Sequence, residues 1–308
     1  MTMKSEQVLD IVIFSFNRAM QLNTLIASVY EYFQYPFKIT VLYNCTASHS
    51  KGYEILKNRY PQINFVKEEK ESKGYVISEL SKLFNLKRYL KYEYIRSPKS
   101  DFRRKLISIL SESNSQFVMF LTDDSVFISP VKLNKMLLQR IADQPENMQY
   151  SLRLGENINS PKNYAKESDF MVWSFYDDEN LRDWRYNFSV DAHIYDREYV
   201  LSLAKDIVFN NPNSYESFTK IRICQKKQQQ CGVANLEPCI LSFPINMVQT
   251  VQDNESLSVS TEQLEKYFVE GYSLRYRIPE NIDTFQYYPD TLFLEKNGVT
   301  KELSTSIK

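Results

Sequence analysis

The sequence predicts an α/β fold, a doubly wound and mainly parallel sheet with helices on both faces. Two observations carry this. Strand-like and helix-like segments alternate through the first half of the chain, the pattern of a parallel sheet with crossover helices. The run Phe117-Val118-Met119-Phe120-Leu121 is continuously apolar and leads through Thr122 into Asp123-Asp124. So short an apolar run reads as a strand buried on both faces. In open sheets of this class ligands bind at the carboxyl ends of the strands.

The elements follow in order. Residues 10–16 form the first strand, and Asn17 is a candidate cap for the helix after it. In that helix Leu22, Leu25, Ile26, Val29 and Phe33 share one face. Strands are expected at 39–43 and 63–66, with a short helix between them on Tyr53, Leu56 and Tyr60. Residues 76–90 give an amphipathic helix on Val76, Leu80, Leu83 and Phe84. Ser100 opens another on Phe102, Leu106, Ile109 and Leu110, which ends before the strand at 116–121.

Beyond residue 130 the expected elements are helix 131–141, strands at 149–154, 171–175 and 190–195, and helix 197–205. Pro and Asn cluster at 209–213, and the Gln/Lys stretch 225–231 reads as a mobile loop. The tail at 261–294 is rich in aromatics, including Tyr267, Tyr272, Tyr276 and Phe285. These are core filler or a surface for stacking on sugar rings. The expected organisation is one domain over 1–255, with halves 1–130 and 131–255, and a C-terminal segment 256–308 packed on it.

Composition narrows the function. Lys+Arg and Asp+Glu are both 38, which argues against a nucleic-acid binder. No apolar run approaches the roughly 18 residues of a membrane helix, and the polar start, 1–7, has no signal-peptide core. The four Cys form no C-x-x-C pair and fit a reducing, cytoplasmic setting. With two His, His49 and His193, a His-rich metal site is excluded. With 6 Gly and no glycine-rich phosphate loop, dinucleotide enzymes and P-loop ATPases are disfavoured.

Read alone, Asp123-Asp124 is either a turn or a hard oxygen site for a divalent cation carrying phosphate. Several stretches in sequence order bear on that choice. They are Ile11-Val12-Ile13-Phe14-Ser15-Phe16-Asn17-Arg18, Phe120-Leu121-Thr122-Asp123-Asp124, Ser151-Leu152-Arg153-Leu154-Gly155, Asp183-Trp184-Arg185-Tyr186 with Val190-Asp191, Asn211-Pro212-Asn213, and Pro244-Ile245-Asn246-Met247-Val248-Gln249. Together they resemble the GT-A glycosyltransferases, the bacterial family-2-like group.

The resemblance implies a GT-A fold on a Rossmann-like sheet. It implies a metal-assisted transfer of a sugar from a nucleoside-diphosphate donor, UDP-linked, to a glycan or protein acceptor. Asp123 and Asp124 stand at the family's DxD-type position, with Asp124 toward Mn²⁺ or Mg²⁺ and Asp123 toward the ribose. Ser15, Asn17, Arg18 and Asn44 border the nucleoside, with the plain cap at Asn17 as the other reading. Asp101, Arg103 and Arg104 border the diphosphate or form a solvated helix face. Asp191 is the expected base, with Asp183 and Glu156 in reserve. On a strand, Asp191 and His193 point to one face and form either a metal pair or a structural His. The family's C-terminal metal-binding His is missing, and Gln286 stands in that region. A nucleotidyltransferase and an inactive nucleotide-sugar-binding module are the rival readings.

Overall fold

The computed structural model describes residues 8–70, 100–180, 182–248 and 256–307. The expected helix 76–90, the start at 1–7 and Gln249 lie outside them.

The chain enters β1 (Leu9–Phe16) and turns through Asn17, at φ +56°, into α1 (Ala19–Tyr32). Asn tolerates this left-handed backbone better than most residues. Then come β2 (Phe37–Asn44), α2 (Ser50–Arg59), β3 (Asn64–Lys67), α3 (Phe102–Glu112) and β4 (Phe117–Thr122). β5 (Ser125–Phe127), α4 (Lys135–Asp143), β6 (Met148–Ser151), β7 (Ala165–Glu167), β8 (Phe170–Ser174) and β9 (His193–Asp196) follow. The remainder is α5 (Arg197–Asp206), α6 (Pro212–Lys226), β10 (Cys231–Asn235), β11 (Ile240–Ser242), α7 (Thr261–Val269), β12 (Ser273–Arg275), β13 (Thr291–Lys296) and β14 (Val299–Ser304). No helix among the described residues is long and apolar enough to cross a membrane.

The main sheet has the order β3-β2-β1-β4-β9-β6-β10-β8-β7. It is parallel from β3 to β4, then mixed, with β9 antiparallel to both β4 and β6. The α/β sheet read from the sequence is therefore present. β1 and β4 are buried on both faces. Ile11, Ile13, Met119 and Leu121 enter one core with α1, α2, α4 and α7. Val12, Phe14, Val118 and Phe120 enter a second core with α3, α5 and α6. This period of two is why these strands read as unbroken apolar runs.

Two smaller sheets complete the fold. β5 and β11 pair antiparallel and set Ser125 opposite Ser242. β12, β13 and β14 form the C-terminal sheet. Leu257, Leu264, Phe268, Leu274, Leu292 and Leu294 of the C-terminal segment belong to the α1 core.

Several expectations are corrected. Asn17 does not cap α1, which starts after Arg18 without a side-chain cap; the Asn17 Oδ1 instead accepts the Thr46 N–H at 2.8 Å. The expected helix 131–141 starts later, with Asn134 capping α4 through the Met136 and Leu137 N–H groups. Asp191 is not in a strand, because Ala192 takes φ +57° and β9 starts at His193. The Asn-Pro-Asn cluster is the start of α6, where Asn211 and Ser214 form a reciprocal capping box behind Pro212. The stretch 225–231 is no loose loop: it finishes α6, turns at Lys227 (φ +53°) and buries Gln229.

Both Trp pack in a third core, where Trp173 and Trp184 meet edge to face with centroids 4.8 Å apart. Gly232 in β10 lies under Trp173. A Cβ there would overlap the Trp173 ring and come 2.7 Å from Phe175 Cζ. Gly232→Ala should therefore destabilise the protein by about 1–3 kcal/mol, the usual cost of overpacking. Urea unfolding followed by tryptophan fluorescence measures it. An unchanged midpoint would mean that this core yields without cost.

Candidate active site

The parallel register sets Phe14 opposite Thr122, so the segments that leave β1 and β4 run side by side. Arg18 joins them. Its Nη1 donates to Asp123 Oδ1 at 2.9 Å and to Asp124 Oδ2 at 3.2 Å. Its Nε donates to Asn246 Oδ1 at 2.8 Å and its Nη2 to the Asn246 carbonyl. Arg18 is 9% exposed and Asp123 3%, so this is a buried ion pair. Burial alone would lower the Arg18 pKa, but the charges of Asp123 and Asp124 outweigh that and leave it raised. Burial pushes Asp123 up from the carboxylate range against the opposing charge of Arg18, and the charge of Asp124 adds to the rise.

Both oxygens of Asp123 are engaged, since its Oδ2 also accepts the Phe16 N–H at 3.1 Å. Ser15 shares a 2.6 Å hydrogen bond with Tyr53 Oη, which also accepts the Arg18 N–H. Asn44 accepts the Cys45 N–H through its own side chain. Ser15, Asn17, Arg18 and Asn44 thus gather at one sheet edge with the Asp pair. Asp124 is the more open carboxylate, its side chain 18% exposed. Among the described residues no group of three His, Cys, Asp or Glu can cage a metal. The residues fit an ion that arrives with phosphate and water and takes one carboxylate, as Mg²⁺ often does.

A second Arg–Asp unit adjoins the first. Asp191 Oδ1 accepts from Ser125 at 2.7 Å, and its Oδ2 from Ser242 at 3.0 Å and Arg153 Nη1 at 3.0 Å. The Arg153 guanidinium stacks over the Phe285 ring at 3.9 Å. His193 Nδ1–H donates to the Asp191 carbonyl at 2.8 Å. Burial, with the Arg153 charge, pushes His193 down to about 3, so it is a neutral structural His. Its Nδ1 tether is to the Asp191 backbone, not the carboxylate. The two units meet through the chain: Ser125 follows Asp124, and the Phe243 N–H, next to Ser242, donates to the Asp124 carbonyl at 2.7 Å.

The other sequence candidates, Gln286 apart, are held by partners outside these two units. Asp101 is buried, accepting the Glu69 N–H at 2.8 Å and Arg104 Nη2 at 2.7 Å. Arg103 donates to the Ile207 and Lys205 carbonyls at the end of α5. Asp183 accepts from Asn159 Nδ2 at 2.7 Å. Glu156 is bound by Lys166 and Tyr164, which hold its pKa below the usual range and make it a weak base. Gln286 is exposed, its backbone bridged to Ser242. Sequence reading missed Tyr53, Ser125, Arg153, Ser242 and Asn246 as site residues. The signal for Ser125 and Ser242 was a polar residue at one end of a short apolar strand. Their meeting depends on a long-range pairing.

No family model matches this chain. It is 24% identical over 311 residues to the bifunctional glycosyltransferase pgtA of Dictyostelium discoideum, covering 87% of this chain and 36% of that protein. Among solved structures, S. aureus TarS 1–349 aligns at TM-score 0.45 and 12% identity, over 76% of this chain and 60% of TarS. The mannosyltransferase PcManGT of Pyrobaculum calidifontis, in complex with GDP-Man and Mn²⁺, aligns at 0.40 and 12%, over 75% and 54%. Both structural likenesses are weak. The chain is a sequence relative of a glycosyltransferase, and the resemblance drawn from its motifs stands. It spans about a third of that relative's length.

Removing one partner of a buried ion pair typically costs about 3–5 kcal/mol. Arg18→Met should approach that loss at pH 7, where it leaves Asp123 buried beside Asp124 without their shared cation. The pH dependence has a fixed sign. A carboxylate whose folded pKa is raised contributes its stability below the unfolded value and loses it as pH rises through the folded value. The deficit of Arg18→Met should therefore shrink as pH falls from 7 toward 4. Denaturant melts across that range decide it; a deficit that is constant with pH would contradict the pairing.

Proposed function

We propose that this protein is a metal-assisted glycosyltransferase of the GT-A type. It takes a nucleoside-diphosphate sugar, UDP-linked in the first instance, and transfers the sugar to a glycan or protein acceptor. The carrying observation is the Asp123–Asp124 pair, clamped by Arg18 where the parallel strands β1 and β4 end. Relatedness to a glycosyltransferase supports the same reading.

The charges explain why a cation belongs there. Arg18 cancels one of the two carboxylates, so the trio carries a net charge of −1. A diphosphate would be repelled from it. Asp124 would hold the Mn²⁺ or Mg²⁺, which when bound neutralises the diphosphate as it leaves. Gln286, exposed and bridged through its backbone to Ser242, is the residue proposed to complete the ion's shell. Ser15, Asn17 and Asn44 line the edge proposed for the nucleoside, with Asn17 tying the β1 and β2 loops together through Thr46. Asp123, bonded to Arg18 and to the Phe16 N–H, is assigned to holding this loop.

Asp191 is the proposed base. Three donors fix its carboxylate, which has about four lone-pair sites in all, leaving room for about one acceptor hydroxyl. Taking that proton as the new glycosidic bond forms would give inversion. Asp183 and Glu156 are each engaged by neighbours and become secondary candidates. The four free thiols support a reducing, cytoplasmic setting.

A second reading is a nucleotide-sugar-binding module without catalysis. The lack of a three-ligand metal group among the described residues favours it. Nucleoside-diphosphate release from a panel of UDP- and GDP-sugars with Mn²⁺ or Mg²⁺ separates the two. Release supports the enzyme, and binding without release supports the module. In the enzyme, Asp124→Asn should lower turnover about 10²–10³-fold, the scale for losing one preorganised charge contact. Wild-type turnover in that variant would remove the metal assignment.

Asp191→Asn should lower transfer about 10²–10⁴-fold, the usual worth of a general base. Nucleoside-diphosphate affinity by calorimetry should stay unchanged, since the contact is to the acceptor. Retention of anomeric configuration in the product, read by NMR, would exclude this role.

A further inference from the structure

Three buried polar atoms beside the Arg18 clamp lack a hydrogen-bond partner among the described residues: Gln21 Oε1, Asn246 Nδ2 and Tyr276 Oη. Native proteins satisfy nearly all buried polar groups, so orphans gathered at one corner need an explanation. The Asn246 amide is held by its other end, where Oδ1 accepts from Arg18 Nε and, at 3.2 Å, from Gln21 Nε2. Its Nδ2 donors are left over. Tyr276 follows β12 in the C-terminal segment. Its ring stacks on Phe243 with centroids 3.9 Å apart, and the Phe243 N–H donates to the Asp124 carbonyl at 2.7 Å. The phenol is thereby anchored next to Asp124. The charges of Asp124, Arg18 and Asp123 all act on it.

We propose that Tyr276 positions the donor substrate, its hydroxyl donating a hydrogen bond to the diphosphate with the Asn246 amide as a second donor. This rests on the nucleoside-diphosphate reading above. Phosphoryl oxygens only accept, and the free functions at Tyr276 and Asn246 include an O–H and an N–H₂ group. Burial, reinforced by Asp124, pushes the phenol pKa well above its ordinary value, so it stays protonated and able to donate. Both donors are neutral and add hydrogen bonds without changing the charge balance of the clamp. A nucleoside alone does not reach them on this reading, and a diphosphate does. The aromatic tail is then part of the donor site.

The test compares UDP, GDP and uridine by titration calorimetry at fixed Mg²⁺, with wild type and Tyr276→Phe. The Phe variant keeps the ring and its stack on Phe243. UDP or GDP affinity should fall about tenfold or more, as for losing a hydrogen bond to a charged group. Uridine affinity and the unliganded Tm should not change. Tyr276→His, which keeps a donor on an aromatic ring, should recover part of the affinity and keeps the question decidable should the Phe variant fold poorly. Equal diphosphate affinity in wild type and Tyr276→Phe overturns the proposal. So does a parallel loss of uridine and diphosphate binding with a lowered Tm, which marks a structural tyrosine. A wild-type protein that binds neither diphosphate fails at the donor reading itself, and the proposal fails with it.

Discussion

The buried clamp between Arg18 and the two carboxylates is the constraint on which the rest of the site depends. Taking a guanidinium out of water costs several kcal/mol, and only close partners offset it. Here they come from two places: Asp123 and Asp124 after β4, and Asn246 in the segment after β11. Arg18 itself sits at the mouth of α1. One side chain therefore fixes the relative position of three chain segments far apart in sequence. The parallel pairing of β1 and β4 makes this possible, because it ends both strands at the same edge.

A second constraint shapes the neighbouring unit. Asp191 is just as hemmed in, but by different chemistry: two hydroxyls and one guanidinium. The pairing of β5 with β11 brings both hydroxyls to it at once. Arg153 balances Asp191 one to one, whereas Arg18 serves two carboxylates. The first unit is thus short of positive charge and the second is neutral. That difference is the one the proposed roles call for, a cation and phosphate at one corner and an uncharged hydroxyl at the other.

The parallel half of the fold was legible because its strands are buried on both faces. β1 and β4 read as apolar runs for that reason, and the helices α1 and α3 each show one apolar stripe. The helix α6 was not legible as a helix. Its buried Tyr215, Phe218, Thr219 and Ile223 are diluted by polar and charged neighbours, and its capping box resembles a loop cluster. At the site, Asp123, Asp124, Ser15, Asn17 and Arg18 were found because they follow strands directly. What Arg18 does was not visible, since its partner Asn246 lies 228 residues away. Asp191 was found, but its strand setting was not: Ala192 takes a left-handed backbone that no sequence pattern announces. Asp101 and Arg103 read as candidate binding groups because a charged helix face looks the same whether it meets solvent, ligand or the end of another helix.

The C-terminal segment ties these threads together. Its leucines and Phe268 enter the same core as α1, so it is packed into that layer rather than appended to it. Two of its aromatics then reach the two Arg–Asp units. Tyr276 stacks on Phe243 beside Asp124, and Phe285 stacks on Arg153 beside Asp191. The backbone repeats the link, since the Ser242 N–H donates to the Phe285 carbonyl at 2.9 Å and the Tyr287 N–H to the Ser242 carbonyl at 2.9 Å. Stacking a guanidinium on a ring keeps water from one of its faces and strengthens the remaining hydrogen bonds. An aromatic tail of this kind serves two ends with one set of side chains. It supplies apolar area to the core, and it lowers the local dielectric around charges that must stay where they are.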